Sequence, residues 1–156
     1  SLTGGFTMAE SFVPFGAVWL KIEADGAAVQ AVRRVRAPED GTENELSRRA
    51  ARELAAYFAG ERRAFDLPLR PQGTDFQKAV WAELQKVPFG SRTSYGELAE
   101  RIGRPAAARA VGGAVGKNPL LVLIPCHRVL GKDGSLTGFS AGLDLKTALL
   151  ALEASR

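Results

Sequence analysis

The chain has one cysteine and one histidine, and they adjoin as Cys126 and His127. A single cysteine excludes an intramolecular disulfide. Structural zinc takes about four Cys/His-type ligands, which this pair cannot supply. No metal is therefore expected, and chemistry at the pair is read as metal-free. No apolar window is long enough to span a bilayer. No basic stretch followed by an apolar one opens the chain, so no secretory signal is read. The expected location is the cytoplasm, at the nucleoid in a bacterium. Segment 1–7, ahead of Met8, reads as a remnant of cloning and carries no weight in the fold.

The chain does have material for a core and a surplus of positive charge. Hydrophobic residues make up 46% of the 156, enough for one ordinary domain or two small ones. The 21 Lys and Arg exceed the 17 Asp and Glu, for a net charge of +4. That balance favours polyanions such as nucleic acid. A solvated surplus of arginine accounts for the same numbers equally well.

Val18, Leu20 and Ile22 alternate with Lys21 and Glu23, the pattern of a half-buried strand. Asp25-Gly26 signals a hairpin, with 29–35 as the return strand. A helix is predicted over 44–59, because Leu46, Ala50, Leu54 and Tyr57 recur at helical spacing and Gly60 stands at the C-cap. Segment 66–73, with two prolines and no periodicity, reads as a linker between domains at 8–70 and 73–156. Thr74-Asp75-Phe76-Gln77 is a capping box that opens a helix. Ser94-Tyr95-Gly96-Glu97 is a second, opening a short helix over 95–102. Gly103-Arg104-Pro105 is a tight turn, with Pro105 suited to the first position of a helix over 105–115. The apolar run 120–124 reads as a strand ended by Pro125. Segment 131–142 reads as loop, and 144–154 as a last helix with Leu145, Leu149 and Leu152 inward.

Two short helices joined by a Gly/Pro turn form a helix-turn-helix. A major-groove reader carries polar side chains that reach base edges. Ala106, Ala107, Ala108, Ala110, Gly112, Gly113 and Ala114 carry none. Two glycines inside a helix cost about 1 kcal/mol each relative to Ala, a cost that close approach to another helix or to a narrow groove would offset. Arg109 is the only long side chain there. It either enters a base stack or caps a carbonyl.

Free cysteine is often buried and inert. Three features of Cys126 favour reactivity: its place at the end of an apolar element, the adjoining His127, and the cations Arg128 and Arg109, which favour a thiolate. In an extended segment Cys126 and His127 point to opposite sides. A water between them, with a carboxylate behind His127, would complete a nucleophile, base and orienter.

Ile124-Pro125-Cys126-His127-Arg128-Val129 resembles the active-site motif of the O6-alkylguanine-DNA alkyltransferases. Thr74-Asp75-Phe76-Gln77, Val80-Trp81, Pro88-Phe89-Gly90, Ser94-Tyr95-Gly96-Glu97-Leu98-Ala99, 108–114, Asn118-Pro119, Ser140, Gly142, Lys146 and Leu149-Leu150 follow the family in order and spacing. The resemblance implies a variable α/β N-terminal domain and a mainly α, winged-helix-like C-terminal domain. The helix-turn-helix of that domain would bind the minor groove through Ser94, Tyr95, Ala108, Arg109 and Gly112. The target guanine would be flipped into a pocket at Val129, Phe139, Ser140 and Ala141. Cys126 would be the alkyl acceptor and His127 its base through a water, with Glu153 behind. Asn118 would hold the active-site segment, Arg109 would fill the space the guanine leaves, and Tyr95 would press on the 3′ phosphate. The expected activity is direct-reversal repair, one irreversible transfer per molecule, with O4-alkylthymine an open second substrate. No cofactor is implied. The implied partner is double-stranded DNA carrying O6-alkylguanine, bound by a monomer.

The chain departs from the family pattern at four places. Phe139 stands where Tyr is common, which removes a hydroxyl from the pocket. Ala141 replaces a common Gly and adds a methyl. Gly116-Lys117 shifts a positive charge along the chain. The N-terminal zinc ligands of some members are missing. Rival readings are a non-catalytic alkylated-DNA damage-recognition protein, a transcriptional regulator, and a cysteine hydrolase or peroxidase. Cys126 counts against the first and the lack of base-reading side chains against the second. The missing resolving cysteine counts against a peroxidase.

Overall fold

A computed structural model describes residues 7–134 and 139–155. Segment 1–7, apart from Thr7, and the middle of the 131–142 loop lie outside the described residues. The chain divides into two compact units between Pro71 and Gln72.

The first unit is an antiparallel sheet in the order β1 (Ala9–Phe15), β2 (Val18–Ala24), β3 (Val29–Val35), with α1 (Glu45–Phe58) packed on it. Leu20, Ile22 and Ala24 of β2 are fully buried, and so are Ala50, Leu54 and Tyr57 of α1. Burying a Leu or Ile side chain contributes about 1.5–3 kcal/mol. Asn44 caps α1 by accepting from the Ser47 N–H, and Ser47 returns the bond. The Asp25 carboxylate closes the β2–β3 turn by accepting from the N–H groups of Ala27 and Ala28 at 2.7 and 2.8 Å. Sequence reading missed β1. Its inner face is Ala9, Ser11 and Val13, too small and polar to signal a strand, and Pro14 is tolerated only because β1 is an edge. The 66–73 linker is partly structured, since Val29 N–H donates to Pro68 and Arg70 N–H donates to Val29.

The second unit holds α2 (Asp75–Leu84), β4 (Thr93–Ser94), α3 (Tyr95–Arg101), α4 (Ala108–Gly116), β5 (Val129–Leu130) and α5 (Leu143–Ala154), with β4 parallel to β5. The Thr74/Gln77 box at α2 is complete. Gly73 is required beside it, because a Cβ there would meet the Trp81 ring at 2.6 Å. The Trp81 indole donates to the Ala114 carbonyl at 2.9 Å and ties α2 to α4.

Three sequence expectations need correction. Only the forward half of the second capping box forms, from Glu97 N–H to Ser94, whose backbone is taken up in β4. Helix α4 begins at Ala108 instead of Pro105, because Ala107 N–H closes a separate turn onto Arg104. The run 120–124 is no strand. It folds back on itself, with Ile124 N–H donating to Leu120 and Leu123 N–H to Leu121. At its centre Val122 has φ 69°, a left-handed conformation that costs a β-branched residue about 1–3 kcal/mol. Burial of all five side chains, from 0 to 6% exposed, holds it there.

Candidate active site and nucleic-acid interface

The folded-back loop exists because Asn118 sits at its mouth. Its side-chain oxygen accepts from Leu120 N–H at 2.9 Å. Its two amide hydrogens serve the Ile124 carbonyl at 2.8 Å and Cys126 Sγ at 3.1 Å, with Leu120 O a longer contact at 3.4 Å. One side chain therefore shapes the loop and donates to the sulfur. A donor on sulfur favours the thiolate.

Cys126–Arg128 is a single tight turn rather than extended chain, with Arg128 N–H bonded to the Pro125 carbonyl at 3.0 Å. That turn sends His127 and Arg128 to one carboxylate. His127 Nε2 lies 2.8 Å from Glu153 Oε2. Arg128 forks onto both Glu153 oxygens through Nε at 2.9 and 3.2 Å and Nη2 at 2.7 Å. Its Nη1 donates to the Val87 carbonyl at 2.7 Å. Gly90 N–H reaches Glu153 Oε1 at 3.2 Å from a φ of +80°, a conformation that glycine adopts freely. Glu153 is thus an acceptor on every side, so His127 Nε2 carries the ring proton. Nδ1 is left with a free lone pair. It is buried without a partner among the described residues.

The expectation that the neighbouring cation Arg128 favours the thiolate is corrected. Arg128 is spent on Glu153 and Val87. Arg109 is exposed and has no side-chain partner among the described residues. The positive charge that lowers the Cys126 pKa, by a smaller amount than the Asn118 donor, is that of Lys146.

Ser94, Tyr95, Ala108 and Arg109 line one cavity of about 630 Å³, together with Gly96, Glu97, Glu100 and Lys132. Gly112 lies against the Tyr95 ring, where an added Cβ would sit 3.7 Å away. A Cβ at Gly113 or Gly116 would meet nothing within 4 Å, and both are exposed. Among the described residues no packing contact accounts for those two glycines.

Residues 75–155 match the family profile described as "6-O-methylguanine DNA methyltransferase, DNA binding domain". The chain belongs to the O6-alkylguanine-DNA alkyltransferase family. It is 45% identical over 147 residues to a methylated-DNA–protein-cysteine methyltransferase of Methanosarcina acetivorans, covering 91% of this chain and 94% of that one. It is also similar to the Mycobacterium tuberculosis O6-methylguanine methyltransferase structure, with a TM-score of 0.86, 40% identity, and coverage of 96% and 94%. The Mycobacterium tuberculosis OGT structure in complex with DNA matches at a TM-score of 0.83 and 42% identity, covering 94% and 91%.

In this alkyltransferase the residues expected at the guanine pocket are brought together only in part. The fully buried Lys146 ammonium donates to the Val129 carbonyl at 2.7 Å and lies 5.9 Å from the centre of the Phe139 ring. Lys146 therefore touches two of the four pocket residues and acts on the cysteine. Sequence reading placed it in the family pattern but assigned it no role, although it stands three and four residues before Leu149 and Leu150, the spacing of a buried face. Ser140 and Ala141 lie in the turn that leads into α5, where Gly142 N–H bonds to Phe139 O at 2.9 Å. Lys132 was also passed over, because only the fold brings it beside Tyr95 and Arg109.

Burial pushes the Cys126 thiol from its ordinary 9.0 up to about 11, against the Asn118 donor, the Cys126 backbone N–H and the Lys146 charge. Burial also holds the His127 imidazolium below its ordinary 6.5, overcoming Glu153. The alkyltransferase at neutral pH thus carries a thiol and a neutral imidazole. Both groups also set stability edges. The folded pKa of His127 is depressed, so its contribution is present above 6.5 and lost as pH falls from there towards the folded value. The folded pKa of Cys126 is raised, so its contribution is present below 9.0 and lost as pH rises towards about 11. Urea midpoints across pH should fall at both edges, and the alkaline fall should shrink in Cys126→Ala. An equal alkaline fall in both proteins would show that the thiol reaches water.

Proposed function

We propose that the protein repairs alkylated DNA by direct reversal, moving the alkyl group from O6-alkylguanine in duplex DNA onto Cys126 Sγ, once per molecule. The observation that carries this reading is the single thiol beside an imidazole whose Nε2 is held by Glu153 and whose Nδ1 is unfilled. A water at Nδ1 relays the thiol proton to that nitrogen as the sulfur attacks, and the imidazolium that forms is balanced by Glu153. The alkyl carbon–O6 bond breaks as the carbon–sulfur bond forms, and the released guanine regains a proton from solvent. The product is a thioether with no thiolate left to regenerate, so the protein is consumed.

The second unit is the DNA-binding part, in the manner of a winged helix, with the β4–β5 pair beside α3 and α4. It carries eleven Lys and Arg against seven Asp and Glu, while the first unit carries ten of each. The whole positive surplus therefore lies in the unit that meets DNA. The bare face of α4 at Ala110, Gly113 and Gly116 lies close in the minor groove. Arg109 enters the stack where the guanine leaves, and Tyr95 presses on the phosphate beside it. Ser94, Ala108 and Gly112 form the surface under the backbone. Val129, Phe139, Ser140 and Ala141 receive the flipped base. All the groups gathered at Cys126 come from one chain, so a monomer suffices, acting in the compartment that holds DNA. No helix of the described residues is long and apolar enough to cross a membrane.

The test is intact-protein mass spectrometry after incubation with a duplex containing O6-methylguanine. The expected result is a gain of one methylene unit, on the peptide carrying Cys126, saturating at one per chain. Tight binding of the lesion duplex with no mass gain would replace this reading with damage recognition.

A further inference from the structure

A separate concavity on the first unit, about 340 Å³, is lined by Arg49, Arg52, Glu53, Ala56 and Arg62. Helix α1 supplies four of these at positions 49, 52, 53 and 56, which share one face. Arg62 arrives after the chain reverses at Gly60, which has φ 84°. Glu53 is the floor. It is 8% exposed and accepts from Asp66 N–H at 2.9 Å. Arg49 Nε lies 3.4 Å and Arg62 Nη1 3.3 Å from its two oxygens. Arg49 is braced further by Asp66, and Arg62 donates to the Ala64 carbonyl at 2.7 Å. Arg52 has no partner among the described residues. Glu53 thus orients two guanidinium groups while a third stands free, and the lining holds three arginines and one carboxylate, with Asp66 a second carboxylate on Arg49. This local surplus occurs in a unit whose overall charge is balanced.

We propose that this pocket is an oxyanion subsite that takes a phosphate group, with Arg52 as its free contact and Arg49 and Arg62 preset by Glu53. Guanidinium forks match phosphate oxygens in pairs. The ligand chemistry is a phosphate, supplied either by the backbone of DNA or by a free inorganic phosphate or polyphosphate. The proposal does not depend on which residue accepts an alkyl group.

The test uses the whole protein, Arg52→Ala, and Arg48→Ala as a control one turn away on α1 and outside the pocket. Affinity for unmodified duplex DNA is measured against salt concentration, and thermal unfolding is measured in tripolyphosphate against chloride at equal ionic strength. If DNA is the source, the salt slope falls by about one in Arg52→Ala and is kept in Arg48→Ala. If a free anion is the source, tripolyphosphate raises the Tm of the wild type and of Arg48→Ala but not of Arg52→Ala. The proposal is overturned if Arg52→Ala matches the wild type in both assays. It is equally overturned if Arg48→Ala loses as much as Arg52→Ala, because a diffuse field would then suffice. Because the duplex carries no lesion, these outcomes are separate from any failure of alkyl transfer.

Discussion

Cys126→Ala takes alkyl transfer from one group per chain to none and leaves DNA binding in place. Cys126 is the only thiol in the protein, so no second sulfur can stand in. The substitution removes one atom from a buried position, at a cost of about 1 kcal/mol by the scale for small buried deletions. Asn118 loses one acceptor but keeps its bonds to Leu120 N–H and the Ile124 carbonyl. The loop should therefore keep its shape, and the helix-turn-helix surface does not involve the sulfur. Intact mass after incubation with an O6-methylguanine duplex, paired with a gel-shift measurement on the same samples, reads both quantities. A methylated Cys126→Ala protein would mean that the acceptor has been misassigned. Loss of binding together with loss of transfer would mean that the sulfur holds the loop, beyond its part in the chemistry.

Arg128→Ala should cost about 3–5 kcal/mol, the scale for breaking a buried pair by removing one partner. Total stability is usually only 5–15 kcal/mol, so this change brings the protein to the edge of unfolding. The physical cause is what stays behind. Glu153 is fully enclosed and would lose its guanidinium partner, with the Gly90 N–H and His127 still beside it, and the Val87 carbonyl would lose its donor. Adding Glu153→Gln to Arg128→Ala should recover part of the loss by removing the stranded charge. Urea midpoints for the two single variants and the double variant measure the coupling. A loss below about 1 kcal/mol, the size seen for exposed pairs, would mean that Glu153 reaches solvent and that His127 is not held by a buried carboxylate.

Much of the fold was legible where the signal is short-range. The cap at Thr74, the turn at Asp25 and the periodicities of α1 and α5 each depend on residues within a few positions of each other. The failures were also physical. A continuous apolar run such as 120–124 states that a segment is buried, not how it folds, and here Asn118 supplies the bonds that a neighbouring strand would otherwise make. Strand β1 was invisible because its inner face is partly Ala and Ser. Arg128 looked like an activator of Cys126 by adjacency, but the tight turn at 126–128 swings it onto Glu153.

By itself the sequence determined that the protein has one thiol, no intramolecular disulfide, two units and an α4 of small residues, because composition, spacing and capping are properties of local chain. Tertiary structure alone decided which groups serve that thiol. Glu153 meets His127 across 26 residues and Gly90 across 63, and Lys146 meets Val129 across 17. Such pairings form only when loops close and burial strips away water. That same burial raises the pKa of the thiol, keeps the imidazole neutral and leaves one ring nitrogen without a partner among the described residues.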